Sequence, residues 1–217
     1  EKVIMITSTS SGEGKTFISA NLAAVFGLAD KKVVILELDL RKPKLVSSLG
    51  LRAGKGFSQY VIGKADIKDI IIPSKVDKNV FIVPAGAIPP NPSELILHQR
   101  TDELFEYLRA HFDVIIIDTT PNIVSDPHLL SKYADVTLYI IRLNYTQKDQ
   151  LKQINDRFIS DKFPKLNLVV NDIKSKRYGG NYYGYNYYGY GDYQEGKENK
   201  LKQLLNKKTI MSLKNLI

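Results

Sequence analysis

Through the first 173 residues, short runs rich in valine and isoleucine alternate with longer stretches whose apolar residues recur every three or four positions. The runs at 3–7, 32–38, 80–84, 113–118, 136–142 and 166–170 predict strands, and the stretches 15–28, 93–111, 126–133 and 146–163 predict helices. Most strand candidates are apolar almost throughout, which implies burial on both faces. That pattern predicts an α/β fold, a parallel sheet flanked by helices. Segments 54–63 and 84–92 read as loops. Beyond residue 173 the alternation stops.

The stretch "YGGNYYGYNYYGYGDY" (178–193) packs eight tyrosines and five glycines into sixteen residues, with no period that would bury the rings on one face. Residues 199–217 return to helical spacing through Leu201, Leu204, Leu205, Met211 and Leu216. The expected organisation is a folded domain at 1–173, a Tyr/Gly-rich tail at 174–198 and an extension at 199–217, helical in pattern.

At 217 residues and 43% hydrophobic content, the chain is long and apolar enough for one ordinary core. No run of about 18 apolar residues crosses a bilayer, no signal peptide is evident, and no cysteine offers a disulfide or thiolate site. A cytosolic compartment fits best. Because the chain opens on Glu1 and enters an apolar run at once, a fragment with upstream sequence is expected, and membrane attachment stays open. Net charge is +8, yet residues 174–217 hold nine Lys or Arg against three acids. A surplus of six positive charges in the tail suits an acidic partner or an anionic surface. The isolated His98, His111 and His128 match no ligand spacing and read as surface or helix-end residues.

"VIMITSTSSGEGKTFISANLA" gives a strand, a loop and a helix in the order of a phosphate-binding loop. Its G-K-T is Gly14, Lys15 and Thr16, with Thr9 where the usual first glycine stands. The amides of Ser11, Gly12, Glu13, Gly14, Lys15 and Thr16, at a helix start, can surround a polyphosphate. Lys15 is expected to reach the β- and γ-phosphates, and the Thr16 hydroxyl to ligate Mg²⁺. A magnesium nucleotide also needs carboxylates at neighbouring strand ends. "VVILELDLRKP" supplies Glu37 and Asp39, and "FDVIIIDTTP" supplies Asp118. Either Glu37 or Asp39 can accept the proton of an attacking hydroxyl. Arg41 and Lys42 read equally as phosphate or subunit contacts and as a solvated basic turn.

With these segments in place, residues 3–193 resemble the bacterial tyrosine kinases (BY-kinases) that work with capsular and exopolysaccharide export machinery. The resemblance rests on "TSSGEGKT" as Walker A, "ILELDLRKP" as Walker A′, "FDVIIIDTTP" as Walker B, the loop "PAGAIPPNPSELI" and the tyrosine cluster. It implies a P-loop NTPase-type sheet with a deviant Walker A, similar to the partitioning ATPases, and it implies ATP and Mg²⁺. Lys15, Glu37, Asp39 and Asp118 are the implied catalytic residues. Thr16, Glu37, Asp39 and Asp118 are the implied metal ligands, and residues 11–16 with Phe17 and Asn171 the implied nucleotide contacts. Glu37 departs from the family's usual aspartate by one methylene, so reduced but not absent catalysis is expected. Ser11 replaces a common proline.

The resemblance also answers what the tail is for: Tyr178, Tyr182, Tyr183, Tyr185, Tyr187, Tyr188, Tyr190 and Tyr193 are the implied phosphoacceptors. Glycine and asparagine keep such a segment pliable, and each phosphate adds about −1.5 to −2 charge. Implied partners are other subunits of a ring, a transmembrane co-polymerase or activator segment fused upstream or separate, and a protein-tyrosine phosphatase; no nucleic acid is expected. The implied place is the cytoplasm, at the inner face of the bacterial membrane. The family's acidic and arginine-rich interface helix is not in this sequence, and residues 194–217 extend past its commonest end. Two other readings stay open, a partitioning-type ATPase and an ATP-binding scaffold with weakened catalysis that acts through its tail.

Overall fold

All six predicted strands are present, each within one residue of its expected bounds, and one short strand is added. In the computed structural model the strands are β1 (Val3–Ser8), β2 (Val33–Leu38), β3 (Ile72–Pro73), β4 (Val80–Val83), β5 (Val114–Thr119), β6 (Val136–Arg142) and β7 (Leu166–Asn171). The helices are α1 (Lys15–Leu28), α2 (Leu45–Ser48), α3 (Phe57–Val61), α4 (Ile67–Ile70), α5 (Pro92–Leu97), α6 (Gln99–His111), α7 (Asp126–Leu130) and α8 (Lys148–Ile159). Lys2–Ser175 form one compact unit. The structure describes residues 2–52, 54–122, 124–159 and 163–173. The tyrosine cluster and the 199–217 extension lie outside them.

The sheet runs β3-β4-β2-β5-β1-β6-β7, parallel throughout except for the antiparallel β3–β4 pair. Both central strands β2 and β5 are buried at every position. Alternate residues feed two cores. Val34, Leu36, Ile115 and Ile117 pack with Phe57, Tyr60, Leu104 and Leu108, on the face covered by α3 and α6. Val33, Ile35, Val114 and Ile116 pack with Ala20, Ala23 and Phe26 of α1 and Leu45 of α2. Each such side chain contributes about 1.5–3 kcal/mol when fully buried, so two-sided coverage is what makes the apolar strands stable.

The helix predicted over 126–133 is α7 followed by a 3-10 turn at Ser131–Tyr133, α8 covers Lys148–Ile159 of the helix predicted over 146–163, and two further expectations change. The helix predicted over 93–111 is broken at His98, whose extended backbone (ψ 142°) ends α5 and caps α6, its ring Nδ1 accepting from the Arg100 amide at 3.1 Å. The loop predicted over 54–63 contains α3, whose Phe57, Tyr60 and Val61 are core residues. The segment 84–92 is irregular up to Pro92, where α5 begins.

Since β5 lies between β1 and β2, the chain ends of these three strands meet. Asp118 pairs in register with Ile6 on one side and Glu37 on the other. The P-loop, the Glu37–Asp39 segment and Asp118 therefore share the C-terminal edge of the sheet, where open α/β sheets bind ligands.

Candidate active site

The loop from β1 to α1 turns on two glycines in the left-handed region, Gly12 at φ 87° and Gly14 at φ 102°. Among the described residues, the amides of residues 11–16 donate to no protein acceptor, while the first helical bond runs from Ile18 to the Gly14 carbonyl. A row of free amides at a helix N-terminus is a ready anion site. A Cβ added at Gly14 would lie 2.1 Å from the Asn171 Nδ2 atom. Gly14→Ala therefore combines a clash with backbone strain of about 1–3 kcal/mol. It is expected to weaken magnesium-nucleotide binding at least tenfold in a calorimetric titration; unchanged affinity would contradict the cradle.

Lys15, the first residue of α1, is only 7% exposed. Its Nζ donates to the Ser8 hydroxyl at 2.9 Å. Burial pushes the ammonium pKa below its usual value, against the opposing pull of Asp118, Asp39 and Glu13. The Thr16 hydroxyl, next in the chain, donates to Asp118 Oδ2 at 2.8 Å, and one turn along α1 the Ser19 hydroxyl donates to Oδ1 at 3.1 Å. Burial pushes the Asp118 carboxyl up to about 7, although Thr16, Lys15 and Ser19 all favour its ionised form. A buried ammonium and a buried carboxyl, each stripped of water by burial, fit an incoming polyphosphate and its cation.

The remaining predicted residues divide. Asp39 is half-buried and takes the Lys42 amide on Oδ1 at 2.9 Å. Glu37, 2% exposed, has both oxygens on backbone amides: Oε1 accepts from Leu45 at 2.5 Å and Oε2 from Ala85 at 3.3 Å. Burial raises its pKa, and the amides of Ala85, Leu45, Val46 and Lys44 oppose that rise. Glu37 thus ties α2 to the proline-rich loop. Asn171 stands against the P-loop, donating to the Glu13 carbonyl at 3.0 Å. Phe17 points outward, 54% exposed. Arg41 is an ion-pair partner: its guanidinium holds the fully buried Asp126 at 3.0 Å, and Ser93 donates to the same carboxylate at 2.9 Å.

Sequence reasoning missed several participants. Ser19 lies three residues after Thr16, on the same helical face, so helical spacing was its signal. Ser8 ends the P-loop strand and was equally within reach. Nothing local marks Asp126 or the β6–α8 turn, which meet the site only through the fold.

These donors and acceptors fit a magnesium nucleotide: inward amides, a buried lysine, and hard oxygens on Thr16, Asp39 and Asp118. The profile of the AAA-domain family matches residues 1–156. The chain is 32% identical over 178 residues to the tyrosine-protein kinase YwqD of Bacillus subtilis, covering 82% of this chain and 75% of that protein. The chain belongs to the bacterial tyrosine kinases. The tyrosine-protein kinase wzc of Salmonella typhi is also 32% identical over 82% of the chain, which spans only 25% of that longer relative. Among solved structures, the kinase domain of the Escherichia coli tyrosine kinase ETK superposes with a TM-score of 0.76 at 28% identity, covering 86% of this chain and 73% of that one. The septum site-determining protein MinD of Pyrococcus horikoshii, solved with Mg-ADP, shares the fold with a TM-score of 0.64 at 21% identity over 78% of this chain and 69% of that one.

Proposed function

We propose that this domain is a protein-tyrosine autokinase that transfers the γ-phosphate of ATP to tyrosines 178–193 of another copy's tail. Through that tail it would regulate assembly of a polysaccharide export complex at the inner face of the membrane. The observation that carries the reading is the convergence of Lys15, Thr16, Asp39 and Asp118 at one sheet edge, in a chain that also bears eight clustered tyrosines. Among the described residues no helix is long and apolar enough to cross a membrane, so attachment would come from a partner or from further sequence.

The chain's own residues divide the work of phosphoryl transfer. The amides of residues 11–16 and the Lys15 ammonium hold the phosphates and take up negative charge as the bond to the leaving ADP breaks. Thr16, Asp118 and Asp39 would hold Mg²⁺, which neutralises phosphate charge when bound. Asp39, less buried than Glu37, accepts the phenolic proton as the tyrosine oxygen bonds to phosphorus. Glu37, with both oxygens on amides, sets the position of the segment that carries Asp39. A weakened ATP-binding scaffold is the second reading, favoured by that same engagement of Glu37.

Mixing two variants separates these readings: Lys15→Met with its tail intact, and a chain whose eight tail tyrosines are phenylalanine. Peptide mass spectrometry after Mg²⁺-ATP should find phosphate on the Lys15→Met tail only in the mixture. A wild-type tail left bare while nucleotide binds, even with an activating membrane segment supplied, would move the assignment to the scaffold.

A further inference from the structure

A loop that turns its amides inward turns its carbonyls outward, and each carbonyl then needs a donor. Four consecutive ones have a side-chain donor apiece. The Ser10 carbonyl takes the Ser8 hydroxyl at 2.8 Å, Ser11 the Tyr145 hydroxyl at 2.9 Å, Gly12 the Arg142 guanidinium at 3.1 Å and Glu13 the Asn171 amide at 3.0 Å. Three of these donors come from the end of β6, the turn after it and the end of β7.

The Glu13 side chain closes the arrangement. It is fully buried, one oxygen accepting from the Ser10 amide at 2.6 Å and the other from the Thr146 hydroxyl at 2.5 Å. The Thr146 hydroxyl in turn accepts from the Arg142 amide at 2.8 Å, which directs its proton toward Glu13. A carboxylate placed beside a polyphosphate site repels the ligand through space, and a buried one also loses hydration. What it contributes here is shape: the Ser10–Glu13 turn is closed on itself and fastened to a turn 133 residues away.

We propose that Glu13 and Thr146 are positioning residues for the nucleotide: the bond between them fixes the P-loop in its phosphate-receiving form before the nucleotide arrives, and makes the turn after β6 part of the nucleotide site. Neither side chain is assigned a contact with phosphate. A preformed cradle avoids an ordering cost at the moment of binding, and a hydrogen bond to a carboxylate is among the stronger ones available for the purpose. The inference concerns nucleotide binding alone, so a tail that stays unphosphorylated would leave it standing.

Thr146→Val keeps the shape and removes the hydroxyl, whereas Thr146→Ser keeps the hydroxyl. With the full chain titrated with Mg-ADP, the valine variant should bind about tenfold more weakly, as expected for losing a hydrogen bond to a charged group. The serine variant should bind within about threefold of the wild type, short of one such bond, and with Glu13→Gln also measured alone, the double variant should lose less than the sum of the two single losses, since one bond is lost only once. Melting of the ligand-free proteins is followed in parallel. Wild-type affinity in the valine variant, equal losses in valine and serine variants, or fully additive losses in the double variant would each overturn the proposal.

Discussion

Lys15→Met is expected to reduce tyrosine phosphorylation at least about 10²–10³-fold, the loss seen when one preorganised donor to developing charge is removed, while the ligand-free domain stays folded. The ammonium is buried and its pKa is already pushed down by that burial. Without nucleotide it therefore sits in an unfavourable place, and methionine fills similar space without a charge to desolvate. Ser8 loses one donor but keeps its bond to the Ser10 carbonyl. The ligand-free melting temperature should be equal to or above that of the wild type, and the stabilisation conferred by Mg²⁺-ATP should shrink, because ligand linkage scales with affinity. Calorimetry with and without nucleotide reads both quantities. A variant that melts earlier and still gains as much from nucleotide would show that Lys15 serves the core and not the phosphates.

That contrast reflects how unevenly the sequence reveals the site. Lys15, Thr16 and Gly14 are neighbours in the chain and carry their meaning in their order, so the P-loop was legible. Asp118 and Glu37 were legible because buried strands end on carboxylates, and only the sheet register shows that they are direct neighbours. The role of Glu37 was not readable, since its partners Leu45 and Ala85 reach it through a helix start and a loop whose paths no local pattern defines. The same limit applies to α3. Five residues are too few for a period to stand out, although Phe57, Tyr60 and Val61 have the spacing of one helical face. At His98 the apolar pattern runs on from Leu95 and Ile96 to Leu104 and Phe105, while the backbone does not, because hydrophobic spacing reports which face is buried and says little about a one-residue break. The links Thr146–Glu13 and Arg41–Asp126 join residues far apart in sequence, and only the folded sheet brings them together.

Asp118→Asn should likewise reduce Mg²⁺-dependent phosphorylation about 10²-fold or more, and its effect on stability should depend on pH with a definite sign. Burial holds the Asp118 carboxyl at about 7 in the folded protein, against 3.8 when unfolded. Between those values the native state keeps a proton that the unfolded state has released. Stability therefore falls as pH rises through this window, by up to about 1.4 kcal/mol per pH unit, and the loss is complete once the native carboxyl ionises near pH 7. Asparagine does not titrate, so the variant lacks this contribution. Comparing ligand-free wild type and variant from pH 5 to 8, the wild type should lose ground steadily up to about pH 7 and then run parallel. Parallel profiles throughout would mean that the carboxyl is ionised already at pH 5. The same titration acts on ligand binding in the opposite direction: a cation needs the ionised carboxylate, so magnesium-nucleotide affinity should weaken below pH 7, and a proton should be released on binding at pH 6. The group that burdens the empty domain at neutral pH would then be the one that readies it for a cation.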